Sequence, residues 1–250
     1  MLASMSELVL TENADGICHL RLNRPEKRNA ITFAMYAALE AALRGADADD
    51  GVRALLLSGE GQGFCAGNDL YDFINGGEFS ASHPVLGFLR QLVRLSKPLV
   101  AAVHGQTVGI GVTMILHCDL VVAADSTRFS MPFVSLGLVP EAASSLLLPQ
   151  RLGPQRAAEL LLLGRPFDAA YAHSVGIVNK VVAEGAVLSE ARAMATTLAG
   201  QPPGALRATR RLLRGDLGAQ LARIDAEADI FGAQLKSAEF MTAVQAFLAK

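Results

Sequence analysis

Three nearly continuous apolar runs of strand length, residues 52–58, 98–103 and 120–124, are set apart by stretches long enough to hold a helix. A strand that is apolar at almost every position is one buried on both faces. Strand, crossover helix, strand is the signature of a parallel sheet with helices packed over it. The chain has 250 residues, is 51% hydrophobic and 18% charged, and contains no Trp. That composition fits a core-rich α/β protein and excludes a disordered one.

Other elements follow from local chemistry. Residues 8–11 and 17–22 read as a hairpin across Asn13-Ala14-Asp15-Gly16. Thr32 precedes an Ala-rich stretch to about residue 46, a helix with a hydroxyl N-cap. Residues 59–63 form a flexible loop, and residues 74–84, with Gly76 and Gly77, read as mobile. A helix is predicted over 86–95, and helix-length apolar sequence follows Gly111 as far as His117. From about residue 154 the pattern is mostly helical: 155–163, 168–174, 185–198, 203–213, 217–235 and 237–248. Gln201-Pro202-Pro203-Gly204 marks a boundary. It divides a core over 1–200 from a helical C-terminal region over 201–250, whose amphipathic helices suit a subunit interface.

Net charge is −2 with Lys and Arg dispersed, which leaves no electrostatic footprint for nucleic acid. No apolar stretch reaches the length of a membrane span, and residues 1–10 lack the basic and apolar segments of a secretory signal. Cys18, Cys65 and Cys118 are odd in number and lack metal-ligand spacing, so reduced, packed cysteines in a cytoplasmic protein are expected.

Two glycine-containing turns carry the chemistry. Gly63-Phe64-Cys65-Ala66-Gly67-Asn68-Asp69-Leu70 and Ala102-Val103-His104-Gly105-Gln106-Thr107-Val108-Gly109-Ile110-Gly111 each follow a buried strand and open into a helix. Unpaired N–H groups at a helix start attract negative charge. Two such turns at neighbouring strand ends could hold one oxygen between two donors, and losing one donor of such a hole typically costs about 2.7–4 kcal/mol of transition-state stabilisation. Taken singly, each turn is more simply a backbone conformation that needs glycine.

Together with Leu22-Asn23-Arg24-Pro25-Glu26-Lys27-Arg28-Asn29-Ala30, Cys118-Asp119-Leu120 and Gly176-Ile177-Val178-Asn179, these motifs resemble the crotonase (enoyl-CoA hydratase/isomerase) superfamily from about Leu8 onward. The resemblance implies a spiral ββα core with a helical C-terminal region, homotrimers or dimers of trimers, and an acyl-CoA substrate with no separate cofactor. It assigns the oxyanion donors to the backbone N–H groups of Asn68 and Ile110.

Departures from the hydratase pattern narrow the reaction. Hydratases of this family carry two glutamates, and the matching positions here are Thr113 and Phe133. Phe exchanges no proton, and Thr is a poor general base. The segment Pro140-Glu141-Ala142-Ala143-Ser144-Ser145 is instead similar to the Δ3,Δ2-enoyl-CoA isomerase branch, where one glutamate is the base. The expected mechanism has Glu141 take a C2 proton and return it to C4, with Leu136, Leu138, Val139 and Phe133 supplying apolar surroundings that raise its pKa. A hydratase with Glu141 acting through water, and a non-catalytic acyl-CoA-binding subunit, are the competing readings. Without the resemblance, Glu141 reads as a first-turn helix glutamate.

The resemblance places Ala66, Gly67, Gly109 and Phe133 against the ligand, with Ala66 meeting the adenine through its backbone. It puts Arg24, Lys27 and Arg28 on the loop nearest the nucleotide, where an ordinary solvated basic turn is the plainer reading. A basic residue common in the family is Tyr71 here. Phe247 and Lys250 are candidates to reach a neighbouring subunit's CoA. Ser144 and Ser145 lack a His–acid pair and read as packing or capping residues. His104 suits a backbone-bonded role, Asp69 and Asp119 a capping or pairing role, and Cys65 a packing role. His19, His83, His117 and His173 form no metal constellation.

Overall fold

A computed structural model describes residues 8–75 and 79–248. Strands β1 (Val9–Ala14) and β2 (Ile17–Leu22) form the expected hairpin. Its turn is tighter than expected, only Asp15 and Gly16, with φ of 52° and 75°. Two left-handed residues match the twist of the flanking strands, so Asn13 and Ala14 stay in register with Cys18 and Ile17. Helix α1 (Phe33–Ala48) starts where Thr32 accepts from the Met35 N–H, the predicted cap.

The middle of the chain repeats a unit of two strands and a helix. Strand β3 (Ala54–Gly59) leads through a bridge at Cys65 to α2 (Leu70–Asn75). Helix α3 (Pro84–Arg94) crosses to β4 (Leu99–Val103), followed by β5 (Gln106–Val108) and α4 (Ile110–Ile115). Strands β6 (Leu120–Ala124) and β7 (Arg128–Ser130) precede α5 (Ser144–Leu152). Helix α6 (Pro154–Leu162), β8 (Phe167–Asp168), α7 (Ala169–Ser174), β9 (Lys180–Val182) and α8 (Val187–Gly200) complete the core. The helices α9 (Pro203–Arg214), α10 (Leu217–Gln234) and α11 (Ala238–Leu248) follow Gln201. The fold is the α/β spiral of ββα units that the resemblance implies, around the parallel sheet read from the apolar runs. The segment over 74–84 expected to be mobile includes Gly76 and Gly77, which lie outside the described residues, as do the Phe247 side chain and Lys250.

The main sheet has the order β1-β2-β3-β4-β6-β9 and is parallel from β2 onward. The inner strands β3, β4 and β6 are buried on both faces, which is why they are apolar almost throughout, whereas the edge strand β1 carries exposed Thr11, Glu12 and Asn13. Leu56, Val100, Ala102 and Val122 pack on Val187, Ala191 and Ala195 of α8. Leu55, Leu57, Ala101 and Val103 face the larger core with Leu39 and Leu43 of α1 and Leu89 of α3. A second sheet, β5-β7-β8, was not apparent from the sequence, and it inserts a strand where the second glycine turn was expected to run straight into a helix. The chain enters it at Gly105, with φ 58°, where a Cβ would stand 2.2 Å from the Gln62 carbonyl oxygen. Only glycine fits there.

Asp119 anchors the C-terminal helices. Its carboxylate accepts from the Leu99 N–H at 2.8 Å and from Arg210 Nε at 2.7 and 2.8 Å, and Arg210 also donates to the Leu95 carbonyl. This is the pairing role expected of Asp119. Among the described residues no helix is long and apolar enough to cross a membrane.

Candidate active site

Ligands of open α/β sheets bind beyond the carboxyl ends of the strands, and both glycine turns lie there. They are joined to each other: Cys65 N–H donates to the Gln106 carbonyl at 3.3 Å and Val108 N–H to the Cys65 carbonyl at 2.9 Å. A Cβ on Gly111 would stand 2.9 Å from the Cys65 carbonyl oxygen, so the helix start of α4 sits directly on the first turn. This contact, with Gly67 against the Val108 carbonyl, packs the turn that carries Asn68 on the turn that carries Ile110. Neither backbone N–H has an acceptor among the described residues. Gly67 (φ 101°) and Gly109 (φ 54°) precede them in conformations that L side chains rarely adopt, which turns both N–H groups out of their local ladders.

Glu141 is 4% exposed. The Asn68 amide nitrogen lies 3.5 Å from each of its carboxylate oxygens. Burial raises the Glu141 carboxyl to about 8; Asn68 pulls it down and the nearby Glu227 charge pushes it up. A cavity of about 10 Å³, one water's worth at most, lies against Glu141. Most of its apolar lining comes from Val85, Leu86 and Leu89 of α3 and Ile224, Ala228 and Phe231 of α10, with Phe79 and Ala142 completing it. The stretch 133–139, expected to surround Glu141, contributes none of it, because the crossover and C-terminal helices close over the loop instead.

Sequence reading missed three partners of this group. Tyr36, fully buried on α1, donates its hydroxyl to Asn68 Oδ1. That bond fixes which end of the Asn68 amide faces Glu141. His117 Nε2 donates to the Ala142 carbonyl at 2.8 Å, and burial lowers its pKa to about 3, so it is the neutral tautomer. Glu227 of α10 accepts from the N–H groups of Ala143 and Ser145. The sequence hinted at a helix start here through Ser144-Ser145 and through Glu141 read as a first-turn glutamate; the helix begins at Ser144, after Glu141.

Neither Thr113 nor Phe133, the positions the resemblance pairs with hydratase glutamates, offers a carboxyl. Thr113 is fully buried with its hydroxyl unpartnered among the described residues, and Phe133 is 4% exposed. The Phe133 ring lies over Gly109, where an added Cβ would be 4.0 Å from it. Burial pushes the Cys65 thiol up to about 12, which leaves it a packing residue. His104 donates to the Gly61 carbonyl at 2.9 Å, the backbone role expected of it.

The basic loop divides. Arg24 is committed to the fold: it donates to Asp69 at 2.6 Å and to the Ala30 carbonyl at 3.0 Å. Asp69 is thereby paired, as expected. Lys27 is exposed, and Arg28 reaches Gln106 Oε1 at 3.2 Å from an exposed position. The Ala66 N–H is used by the Arg28 carbonyl at 2.9 Å, so only its carbonyl can be offered to a ligand. Tyr71 is 61% exposed beside them.

The enoyl-CoA hydratase/isomerase family profile matches residues 12–250. The chain is 36% identical to the 1,2-epoxyphenylacetyl-CoA isomerase of Escherichia coli, over 98% of this chain and 97% of that protein. It is 35% identical to enoyl-CoA delta isomerase 2 of Rattus norvegicus, over 99% of this chain and 65% of the rat protein. The crystal structure of an enoyl-CoA hydratase/isomerase from Pseudoalteromonas atlantica superimposes with a TM-score of 0.93 at 42% identity, covering 97% of each chain. Relatives of similar identity carry isomerase and hydratase names alike. This chain belongs to the enoyl-CoA hydratase/isomerase family of the crotonase superfamily, whose members act on acyl-CoA substrates.

Proposed function

We propose that the protein is an acyl-CoA double-bond isomerase that converts a 3-enoyl-CoA to a 2-enoyl-CoA. The observation that carries this reading is a single carboxyl beside the Asn68 amide with no partner acid free to work with it: Glu141 is buried there, the neighbouring Glu227 is engaged by backbone and hydroxyl donors, and Thr113 and Phe133 stand where the resemblance puts the hydratase carboxylates. The Asn68 and Ile110 N–H groups receive the thioester oxygen. Glu141 removes a proton from C2, the electrons spread over a dienolate, and the same carboxyl returns the proton to C4. The double bond moves from C3–C4 to C2–C3 with no net change in atoms or electrons. One carboxylate and two donors suffice, so the reaction calls for no metal or redox group. A raised carboxyl pKa makes Glu141 a stronger base where the thioester sits.

Lys27, Arg28 and the Ala66 carbonyl are the groups proposed to meet CoA, with Gly67, Gly109 and Phe133 against the acyl thioester. Exposed Leu212 and Leu213, each more than four-fifths accessible on α9, suit the homotrimer or dimer of trimers that the family implies. The competing hydratase reading needs a second acid–base group to hold water. Glu227 is near, but three donors occupy its oxygens.

The test is an absorbance assay with 3-enoyl-CoA and crotonyl-CoA. Appearance of the conjugated 2-enoyl thioester without hydration of crotonyl-CoA supports the isomerase. Hydration with no isomerisation overturns it, and CoA binding with neither reaction points to a binding subunit.

A further inference from the structure

We propose that Glu227, on the C-terminal helix α10, is a positioning residue for Glu141, so that α10 completes the reaction site within the same chain. The inference rests on the reading of Glu141 as the base. It starts from the backbone: Ala142 and Ala143, the two residues after Glu141, have φ of 60° and 55°. Two consecutive left-handed residues that are not glycine persist only where their surroundings over-determine them. Here the loop is held from both sides. His117 takes the Ala142 carbonyl, and Glu227 takes the next N–H groups.

Helix α5 opens on Ala143, which has no side chain to cap it. Glu227 supplies the cap from 84 residues away. Its Oε2 accepts from Ala143 N–H at 2.7 Å, and its Oε1 accepts from Ser145 N–H at 2.9 Å and from the Ser145 hydroxyl at 2.5 Å. A carboxylate on the first N–H groups of a helix is favoured by the helix dipole. Glu227 is itself 6% exposed, and burial raises its pKa against the pull of these donors. A short polar side chain at position 143 would cap the helix more simply. What a carboxylate on α10 adds is a second effect, because Glu227 shares the cavity with Glu141 and places a negative charge beside the base.

The charged and titratable groups facing Glu227 are few. Glu141 lies across the cavity, Arg223 lies one turn earlier on α10 and donates to the Ser145 hydroxyl at 3.3 Å, and α3 presents only Val85, Leu86 and Leu89 to that cavity. Removing the Glu227 charge therefore moves the Glu141 titration through loss of repulsion, while loss of a carboxylate acceptor loosens the loop that places the base.

The test uses Glu227→Gln, Glu227→Ala and Glu141→Gln in the full chain. It reads kcat and KM for a 3-enoyl-CoA, the pH profile of kcat, and the carboxyl ¹³C titration of Glu141 in substrate-free protein, assigned by its disappearance in Glu141→Gln. The expected result for Glu227→Gln is KM within about twofold, kcat lower by about ten- to a hundredfold from misplacement of the base, and a Glu141 titration moved to lower pH. Glu227→Ala should lose more kcat than Glu227→Gln. A folded Glu227→Gln protein with wild-type kcat and an unmoved Glu141 titration overturns the inference, while Glu141→Gln still shows the base reading to be sound. Should Glu227→Ala fail to fold, Glu227→Gln decides alone, because the amide keeps the size and one of the two acceptor oxygens. Full activity in Glu141→Gln, or no isomerisation by the wild type, overturns the base reading and this inference with it.

Discussion

Tyr36 donates its hydroxyl to Asn68 Oδ1, and the Asn68 amide nitrogen is thereby turned toward both carboxylate oxygens of Glu141. Asn68 thus has two proposed roles, with its backbone N–H on the substrate oxygen and its side chain on the base. Tyr36→Phe removes the anchor while keeping the ring that packs on Phe88. It leaves a half-buried acceptor unpaired, which should lower stability by about 1 kcal/mol. The Asn68 bond lowers the Glu141 pKa, so loosening it should move the acid limb of the kcat profile to higher pH. Denaturant titration and pH–rate profiles check both. A variant with wild-type stability and an unmoved limb would show that the bond does not fix Asn68.

Glu141→Gln should reduce isomerisation by about 10²–10⁴-fold and leave acyl-CoA affinity nearly unchanged. The same substitution has a stability signature. The native carboxyl is raised to about 8, whereas in the unfolded chain it titrates near its ordinary value. Between those values the native state holds more protons, so wild-type stability falls as pH rises and the penalty is complete above about 8. Glutamine does not titrate. Melting temperatures of the two proteins should therefore be close at pH 4 and diverge toward pH 9, with Glu141→Gln the more stable. A gap that stays constant across that range would mean Glu141 is not raised.

Sequence legibility followed burial. Strands β3, β4 and β6 are buried on both faces and read directly as apolar runs, and Thr32 read as a cap because its hydroxyl sits one turn ahead of an Ala-rich helix. The sheet β5-β7-β8 has strands of two or three residues, too short to show a period. Helix α5 was missed because Pro149 lies inside it and two left-handed alanines precede it. Glu141 was singled out as a candidate through its Pro-Glu segment. Tyr36 and Glu227 were not, since an apolar-face tyrosine and a C-terminal glutamate acquire meaning only when the fold brings them across 32 and more than 80 residues.

Thr113 offers a test of the hydratase reading. Its hydroxyl is fully buried and unpartnered among the described residues. Thr113→Val keeps the shape and removes the unpaired polar group, so it should raise stability by about 1 kcal/mol and leave kcat within about twofold. Thermal or urea unfolding together with steady-state kinetics measures both. A large loss of kcat at unchanged KM would place Thr113 in the chemical step and would sink the single-carboxylate mechanism.

The basic loop separates binding from folding. Lys27 and Arg28 are exposed at the mouth of the first turn, whereas Arg24 is paired with Asp69, and side-chain exposures of 16% and 11% make that pair largely buried. Replacing Lys27 and Arg28 together with Ala should raise KM for an acyl-CoA by roughly three- to tenfold, as expected of two solvent-screened charges, with kcat unchanged. The effect should shrink at high salt and disappear for an acyl-pantetheine, which lacks the nucleotide. Arg24→Ala should instead lower stability by about 3 kcal/mol, because it strands Asp69, and the loss should be the same with or without CoA present. An equal KM rise for acyl-CoA and acyl-pantetheine in the Lys27/Arg28 double variant would show that this loop does not contact the nucleotide.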